Sequence, residues 1–341
     1  MLVLRDVQRS DLKGVKRLAG VLNTVNLPDN EDTLVELIDR SVQSFSGKVK
    51  DPFQREYLFV LEDLKGGALI GTSMIIAQHG TYEAPHIYYE VSEREHYSAS
   101  LGKHFRHKVL SIGYNYSGPT EIGGLVVDPP HRATPEKPGK QLSYVRFLYI
   151  AMHRGSFRER VLAELMPPLM SDGRSLLWEA CGRKFTGMSY KDADRLSRQN
   201  KEFIKELFPA SDIYASLFPA RVQKVLGEVG AETAGVRRML ERIGFKYADH
   251  VDPFDGGPHF EANVKDLTLV RRFRTVKLGA EDFEEAADDV LVARERASGR
   301  NRFRAVRTHA RIDDQVVYLP AGAKEALGAK VGDGLAVIPF E

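Results

Sequence analysis

Residues 120–147 constrain the fold of this chain more than any other stretch of its sequence. An apolar run over 121–127 is cut off by Asp128-Pro129-Pro130, and a basic loop then leads to a second apolar run. Proline interrupts both strands and helices, so the pattern predicts a buried strand over 121–127, a sharp exit, and a helix from about Lys140 to Arg154. The segment is therefore expected to be one strand–loop–helix unit of an α/β fold.

Such a unit is suited to binding an acyl-CoA. A strand whose backbone amides are not all used by its neighbours can pair with the pantetheine amides, and the start of the following helix attracts phosphate through its free N–H groups. The pattern is equally compatible with an ordinary strand, loop and helix that bind nothing. The candidate CoA-binding residues are Leu125, Val126, Val127, Arg132, Lys137, Gly139 and Lys140.

Composition narrows the class of protein. The 341 residues are 43% hydrophobic and 28% charged, as in globular proteins, and allow for two domains at roughly 150 residues each. A net charge of +2 gives no basis for a nucleic-acid or membrane-surface partner, and no apolar run reaches the ~18 residues of a membrane span. The single cysteine, Cys181, excludes an internal disulfide framework and is expected to pack as a small apolar residue. The N-terminus lacks the pattern of a secretory signal, so a cytoplasmic location is expected.

The order of the predicted elements is more informative than any one of them. A first strand, two helices and a hairpin precede the strand at 121–127, and this order resembles the opening of the GNAT acyltransferase fold. A further strand is predicted at 86–91. The predicted elements before residue 121 are a strand at 2–7, a helix from Ser10, a helix from Asp29 or Asn30 to Phe45, and strands at 57–62 and 68–77.

The second half of the chain is predicted to contain more helix. The helix at 233–245 is expected to end at Gly244, and the turn-rich residues 252–258 are expected to join two strands as a hairpin tip or binding loop. Two arrangements stay open: one acyltransferase core with a large helical insert, or two degenerate cores in tandem. The other predicted elements are a strand at 161–166 and helices at 174–185 and 190–207.

The composition changes from about Asp266. An acidic run predicts a solvated helix face, and short strands are predicted at 303–308, 316–319 and 335–338. The acidic run contains Glu281, Glu284, Glu285, Asp288 and Asp289. We therefore expect a small β-rich C-terminal extension over 266–341 behind a GNAT-like acyltransferase region over 1–265, divided into halves at 1–156 and 157–265.

Across nearly its whole length the sequence resembles the arginine N-succinyltransferase family. The matching blocks include Leu125–Pro129, Ser143 with Arg146-Phe147, Leu240-Glu241-Arg242 with Gly244-Phe245, and, most specifically, Phe254-Asp255-Gly256-Gly257-Pro258. The resemblance implies transfer of succinyl from succinyl-CoA to the α-amine of arginine, with the backbone of Leu125 at the acyl-CoA. It implies succinyl-CoA as cosubstrate, no permanently bound cofactor, and a homodimer or a hetero-oligomer with a related subunit.

The sequence departs from the family at two places. The phosphate loop, glycine-rich in the family, is Ala133–Gly139 here and holds two prolines, each of which removes an N–H donor. The family's histidine, taken as the proton-transfer residue, lies in a Val-His-Pro sequence, whereas the aligned stretch here is Val229-Gly230-Ala231. A positioned general acid or base contributes about 10²- to 10⁴-fold, so this loss is expected to slow the reaction without abolishing it.

Other side chains are candidates for the missing chemistry. Glu121, at the start of the CoA strand, is the preferred base, and an edge carboxylate in solvent is the alternative. Tyr214 and His259 are weaker candidates for protonating the departing thiolate, because a lone Tyr or His is more often a packing residue. A guanidinium substrate requires carboxylates, which Asp255 and, behind it, Glu164 would supply. Asp255 has an alternative role, capping its own loop.

No metal site is predicted, since His104 and His107 have no third ligand at metal-binding spacing. Two rival functions stay open. One is an acyltransferase of the same fold that uses another amine or acyl group, and the other is a catalytically silent partner subunit or ligand sensor.

Overall fold

The computed structural model describes residues 1–22, 27–82, 84–197, 200–283, 288–299 and 301–341. These residues form two compact units. The first unit comprises Met1–Gln78, Thr120–Glu159 and Asn263–Glu341, and the second comprises His79–Pro119 and Arg160–Ala262. The residues after 265 thus belong to the same compact unit as the N-terminal strands. The division into a core over 1–265 and an extension over 266–341 stays a prediction.

The described residues form fifteen strands and eleven helices, apart from short 3₁₀ turns. The strands are β1 (Leu2–Asp6), β2 (Glu56–Asp63), β3 (Ala68–Ile76), β4 (His86–Ser98), β5 (Lys103–Asn115), β6 (Thr120–Val127), β7 (Arg160–Glu164), β8 (Ile213–Tyr214), β9 (Lys246–Val251), β10 (Pro258–Asn263), β11 (Arg274–Asp282), β12 (Asp288–Glu295), β13 (Phe303–Asp313), β14 (Val316–Leu319) and β15 (Gly334–Pro339).

The helices are α1 (Leu12–Leu22), α2 (Glu31–Phe45), α3 (Pro138–Met152), α4 (Leu176–Ala180), α5 (Gly182–Thr186), α6 (Tyr190–Ser197), α7 (Glu202–Leu207), α8 (Ala220–Gln223), α9 (Ala234–Ile243), α10 (Thr268–Arg271) and α11 (Ala321–Leu327). The predicted mixed α/β architecture is confirmed.

The first unit begins as the sequence predicts. Strands β1, β2, β3 and β6 pair antiparallel in that order. Helix α2 starts where Asn30 accepts a hydrogen bond from the Thr33 amide at 3.0 Å, a regular N-cap. Buried side chains of α1, α2 and the strands, among them Leu18, Leu34 and Leu58, form one hydrophobic cluster. This packing holds β6, the predicted CoA strand, against its neighbour β3.

The C-terminal strands of the first unit close into a small barrel. Each strand pairs with the next in the ring β12–β15–β11–β14–β13, and β13 pairs back to β12. Closure removes exposed strand edges, and buried residues such as Leu278, Val292 and Leu327 fill the interior. Strand β13 also pairs with β1.

The helix predicted for the acidic run is wrong. Glu281 lies in β11, Asp288 and Asp289 open β12, and Glu284 and Glu285 fall outside the described residues. The apolar residues 290–293 that follow are all buried in β12 and dictate an extended conformation. The acidic residues mark strand ends, which a charge count cannot distinguish from a solvated helix face.

The second unit is built on strands in the order β7–β10–β9–β4–β5–β8. The strand predicted at 86–91 extends to Ser98 and pairs along its length with β5, for which no strand was predicted. The helix expected at 174–185 is divided into α4 and α5 at Cys181, whose φ of −125° and ψ of −77° lie outside the helical region. The helix expected at 190–207 is likewise two helices, α6 and α7. Cys181 is buried, as expected.

Candidate active site

Strand β6 carries a β-bulge within the predicted CoA-binding segment. Its pairing with β3 is regular at Thr72–Val126 and resumes at Met74–Gly123, so Gly124 and Leu125 together face a single residue of β3. Gly124 has a φ of 56°, which favours glycine, and its carbonyl accepts a hydrogen bond from Thr72 Oγ1 at 3.0 Å. A bulge interrupts the regular ladder and frees backbone polar groups, which is the property that pantetheine pairing requires.

The loop after β6 leads into α3 through a left-handed residue. Lys137 has a φ of 53°, and its carbonyl accepts hydrogen bonds from the amides of Lys140 and Gln141 at 3.0 and 3.1 Å. Arg132 donates from Nε to the carbonyl of Val127 at 3.1 Å, and the side chains of Arg132 and Lys137 are exposed. Two exposed cations therefore lie in the loop between the bulged strand and the start of α3.

Lys140 and Gly139 differ from that pattern. The Lys140 ammonium contacts the carbonyl oxygen of Glu341 and lies 4.6 Å from the ring centroid of Phe340. A Cβ at Gly139 would lie 3.7 Å from the Val127 side chain, which is ordinary contact. The structure thus gives Lys140 a partner at the C-terminus and shows no steric need for glycine at 139.

Glu121 is buried in β6. Only 2% of the residue is exposed, so the alternative of an edge carboxylate in solvent is wrong. It pairs with Ile76 of β3, and its charge adds to burial in raising the pKa of Glu56. A proton-accepting role for Glu121 stays a prediction.

Tyr214 lies in a cluster of rings at β4, β5 and β8 of the second unit. Its hydroxyl is 3.3 Å from Nε2 of His96, and its ring centroid is 5.7 Å from that of His107. His104 instead lies 3.4 Å from the carboxylate of Glu95. These contacts are consistent with packing and give no specific support to a catalytic role for Tyr214.

The turn between β9 and β10 holds two aspartates that cap it. Asp252 Oδ1 accepts hydrogen bonds from the amides of Phe254 and Asp255 at 2.6 and 3.1 Å, and Asp255 Oδ1 accepts from the Gly257 amide at 2.7 Å. The expected alternative, that Asp255 caps its own loop, is therefore confirmed for one of its oxygens.

The same turn concentrates negative charge. Burial raises the pKa of Asp255 to about 7, the Gly257 amide opposes the rise, and the charges of Glu164 and Asp194 add to it. Burial and the charges of Asp255 and Glu164 likewise raise the pKa of Asp252 well above its ordinary value. Carboxylates crowded in this way are stabilised by a cation.

Glu164 and His259 lie together with a third residue, His86. Nε2 of His86 is 3.2 Å and Nε2 of His259 is 3.6 Å from the same oxygen, Oε1 of Glu164. The two imidazole rings stack with centroids 5.2 Å apart and planes at 24°, and they are 3% and 0% exposed. Burial lowers the pKa of His86, against the influence of Glu164. Burial would raise the pKa of Glu164, but His259 and His86 hold it well below its ordinary value.

The cluster was not predicted from the sequence, although Glu164 and His259 were each candidates for other roles. Its members are the first residue of β4, the last residue of β7 and the second residue of β10. They are brought together by strand order, with no local spacing that a motif search could detect. A histidine at the start of a strand is the only local signal, and it is a weak one.

Gly230, which the sequence resemblance aligned with the family's histidine, is packed against backbone. Its amide donates to the carbonyl of Met166 at 2.9 Å. A Cβ at Gly230 would lie 2.9 Å from the carbonyl oxygen of Pro167, closer than real Cβ contacts, and 3.1 Å from that of Met166, a tight contact. The backbone around Gly230 therefore leaves little room for a side chain.

Comparison with known proteins agrees with this architecture. The model of the family described as "Arginine N-succinyltransferase beta subunit" matches residues 2–269. The chain belongs to the arginine N-succinyltransferase family.

Two sequence relatives and one solved structure show how far the likeness extends. The arginine N-succinyltransferase of Yersinia pestis (strain Pestoides F) is 34% identical, with 99% of this chain and 97% of that protein covered. The enzyme of that name from Enterobacter sp. (strain 638) is 33% identical over the same shares. The solved arginine/ornithine succinyltransferase subunit AI of Pseudomonas aeruginosa is 29% identical with a TM-score of 0.84, and the match covers 100% of this chain and 99% of that one.

Membership in the arginine N-succinyltransferase family confirms two predictions from sequence, the family itself and the acyltransferase class of enzyme. The fold is that of the solved Pseudomonas aeruginosa subunit over the full chain. Within the described residues, no helix combines the length and apolarity needed to cross a membrane.

Proposed function

We propose that this protein transfers the succinyl group of succinyl-CoA to the α-amine of arginine. The observation that carries the proposal is the bulge at Gly124–Leu125, in the strand that leads through a basic loop into α3. It supports a pantetheine site at Leu125–Val127 and a phosphate site at Arg132, Lys137 and the start of α3. The family's full-length match supports the same pair of substrates.

In the proposed reaction the neutral α-amine attacks the thioester carbonyl, a C–N bond forms and the C–S bond breaks. The amine gives up one proton and the CoA thiolate takes one. An α-amine with a pKa of about 8 is roughly one-tenth neutral at pH 7, so direct attack in a ternary complex is feasible. Glu121 is our candidate acceptor of the amine's proton, since it lies in the same strand as the bulge.

The turn holding Asp252 and Asp255 supports binding of a cationic substrate. Both aspartates have raised pKa values because they are buried near each other and near Glu164. A guanidinium would relieve this repulsion and favour the ionised carboxylates. We propose Asp255 as its principal partner, with Glu164 adding negative charge behind it.

The domain division, the oligomeric state and the cellular location are also proposals. We propose a GNAT-like core in residues 1–265, with the strands of 266–341 as an appendage that closes into the barrel. The solved relative is named as a subunit, which supports a dimer of this chain or an assembly with a related chain. A cytoplasmic location is proposed because acyl-CoA thioesters are intracellular metabolites.

The central experiment is a thiol-release assay with succinyl-CoA and a panel of amines that includes arginine, ornithine and lysine. The proposal predicts release that depends on arginine, and a different preferred amine would favour the rival acyltransferase. The missing family histidine favours a silent subunit as the second candidate. Intact CoA binding without turnover of any amine would support that candidate and refute the enzyme.

The CoA site is tested by comparing two glycines with positive φ. Gly124→Ala adds a Cβ 3.0 Å from Met74 Cγ at the bulge, whereas Gly67→Ala, at a φ of 64°, meets nothing within 4 Å. Both substitutions strain the backbone by about 1–2 kcal/mol. We expect only Gly124→Ala to weaken CoA binding in calorimetry, and equal affinities would place the pantetheine elsewhere.

The basic loop is tested by a pair of double variants. Replacing Arg132 and Lys137 with Ala should weaken CoA binding at least tenfold, given about 1.5–3 kcal/mol for a charge-assisted contact. Lys48 and Lys50, exposed residues of the first unit, provide a control that removes the same charge. If both double variants lose the same affinity, the loop is not the phosphate site.

A further inference from the structure

We propose that His86, Glu164 and His259 form a binding site for a divalent transition-metal ion, Zn²⁺ in the first instance. All three residues belong to the second unit, and the inference does not depend on the identity of the acyl acceptor. One ligand atom from each residue can be chosen such that all lie within 4.8 Å of one another.

Two of the three distances between the donor atoms, those to Glu164, are close to the spacing of ligands around a metal. Donors about 2.0–2.1 Å from a tetrahedral Zn²⁺ lie roughly 3.3–3.4 Å apart. The Nε2 atoms of His86 and His259 lie 3.2 and 3.6 Å from Oε1 of Glu164, so shifts of a few tenths of an ångström would bring both to ligand spacing. Two imidazoles and one carboxylate are a donor set that Zn²⁺ uses, and they leave a further coordination position open for water or a substrate atom.

The backbone holds the three ligands on rigid elements. The Leu165 amide, next to Glu164, donates to the carbonyl of Pro258 at 3.1 Å and so ties the end of β7 to the start of β10. Strand β9 ends at Val251, which pairs with Tyr89 of β4. His86 precedes Tyr89 by three residues in β4 and therefore lies beyond the end of β9. Its ring can thus reach that of His259.

The environment is that of a ligand cluster more than that of a packed aromatic pair. Neither ring nitrogen of His86 makes a well-aligned hydrogen bond within the part of the chain that is described, although Nε2 lies close to Glu164. Buried polar atoms normally have a partner, and a cation facing the imidazole lone pairs would provide one.

Two aspects separate this site from a general acidic pocket. Two imidazoles disfavour the hard cations Mg²⁺ and Ca²⁺, which prefer oxygen ligands. The exposed histidines of the β4–β5 hairpin, His104 among them with a side chain 64% exposed, offer a comparison for adventitious metal binding by surface imidazole.

The test is calorimetric titration of the untagged, chelator-treated full-length protein with ZnCl₂. We expect one Zn²⁺ per chain and no comparable binding of MgCl₂. Changes to groups that only support a metal ligand weaken affinity about 10- to 100-fold, so removing a ligand should weaken it by at least about 100-fold. The variants are Glu164→Gln, which keeps the shape of the side chain, and His259→Ala.

The control variant is His104→Ala/His107→Ala, which removes two imidazoles outside the cluster and should leave Zn²⁺ affinity unchanged. Folding of each variant is checked by the fluorescence of Trp178, the single tryptophan, which is buried in the same unit. Absorption of bound Co²⁺ gives a second readout, with an intense visible band expected for four-coordinate N/O ligation in wild type and absent in Glu164→Gln.

Three results would overturn the proposal. The first is that the wild-type protein does not bind Zn²⁺ at micromolar concentration. The second is that the control and cluster variants lose the same Zn²⁺ affinity, and the third is that a folded Glu164→Gln protein keeps the wild-type affinity. The first of these would leave the three residues as a hydrogen-bonded packing cluster. None of them bears on turnover of succinyl-CoA, which is measured separately.

Discussion

Adding a methyl group at Gly230 should destabilise the second unit, although glycine-to-alanine changes often stabilise proteins. The new Cβ would lie 2.9 Å from the Pro167 carbonyl oxygen and 3.2 Å from the Pro167 carbonyl carbon. Both contacts are with backbone, which cannot turn aside as a flexible side chain can. The Met166–Pro167 backbone must therefore move, or Gly230 must give up its hydrogen bond to Met166.

The expected loss of stability can be estimated from these two possibilities, a movement of the backbone or the loss of the hydrogen bond. Overpacking a well-packed site costs about 1–3 kcal/mol, and a buried hydrogen bond contributes about 1 kcal/mol. We therefore expect Gly230→Ala to lower the free energy of unfolding by roughly 1–3 kcal/mol, and Gly230→His by at least as much. Placing the family's histidine at this position should consequently fail to provide its proton transfer, because the carbonyls of Met166 and Pro167 leave too little room for the side chain.

Gly235 is the matched control. It lies in α9, five residues away, is exposed, and has nothing within 4 Å of an added Cβ. Gly235→Ala should therefore stabilise the protein by up to about 1 kcal/mol through helix propensity. Urea unfolding followed by Trp178 fluorescence measures both variants, since this buried tryptophan lies in the same unit. Equal stability of Gly230→Ala and wild type would refute the reasoning.

Three further predictions follow from buried titratable groups. The pKa of Asp255 is about 7 in the folded protein, whereas that of an unfolded aspartate is near 3.8. The folded state therefore binds the proton more tightly, and the free energy of unfolding should fall as the pH rises between these values. Asp255→Asn should abolish that part of the pH dependence in urea unfolding at pH 4 to 8. Arg146 is 2% exposed, and burial lowers its pKa to about 9. Arg146→Met should therefore leave the urea midpoint unchanged or raise it. A large fall in the midpoint would mean that the hydrogen bonds of Arg146 to Ser143 outweigh the cost of burying its charge. Burial raises the pKa of the Cys181 thiol, so an aromatic disulfide reagent should label it only after denaturation, and rapid labelling of the native protein would contradict its burial.

Elements with strong local signals could be predicted from the sequence. The first two strands, α2 with its Asn30 cap, and α9 with Gly244 at a φ of 116° are set by residues within or beside the element. The bulge of β6 was not predicted. The bulge depends on the positive φ of Gly124 and on its contact with Thr72 of β3. Thr72 and Gly124 are 52 positions apart in the sequence.

The errors have physical causes of the same kind. The hairpin partner β5 has mixed polar and apolar residues because much of it is exposed, so its alternation is weak. The break between α4 and α5 at Cys181 lies beside tight tertiary packing, because Trp178 stacks on Phe254 at 5.0 Å and Gly182 lies so close to the Trp178 ring that a Cβ would meet it. The His86–Glu164–His259 cluster depends on strand order alone. Contacts between residues that are distant in the sequence could not be predicted, because no local residue pattern specifies them.

The glycine at 230 has less influence on whether this chain is an enzyme than its place in the family suggests. A general acid or base contributes about 10²- to 10⁴-fold, whereas well-oriented reactants reach effective molarities of about 10⁵–10⁸ M. Most of the proposed rate enhancement would therefore come from holding the thioester and the amine together. In the proposed function, the bulged strand β6 binds the thioester cosubstrate and the turn that carries Asp255 binds the cationic amine. If both proposals hold, the absence of the histidine would slow the reaction of this chain without abolishing it.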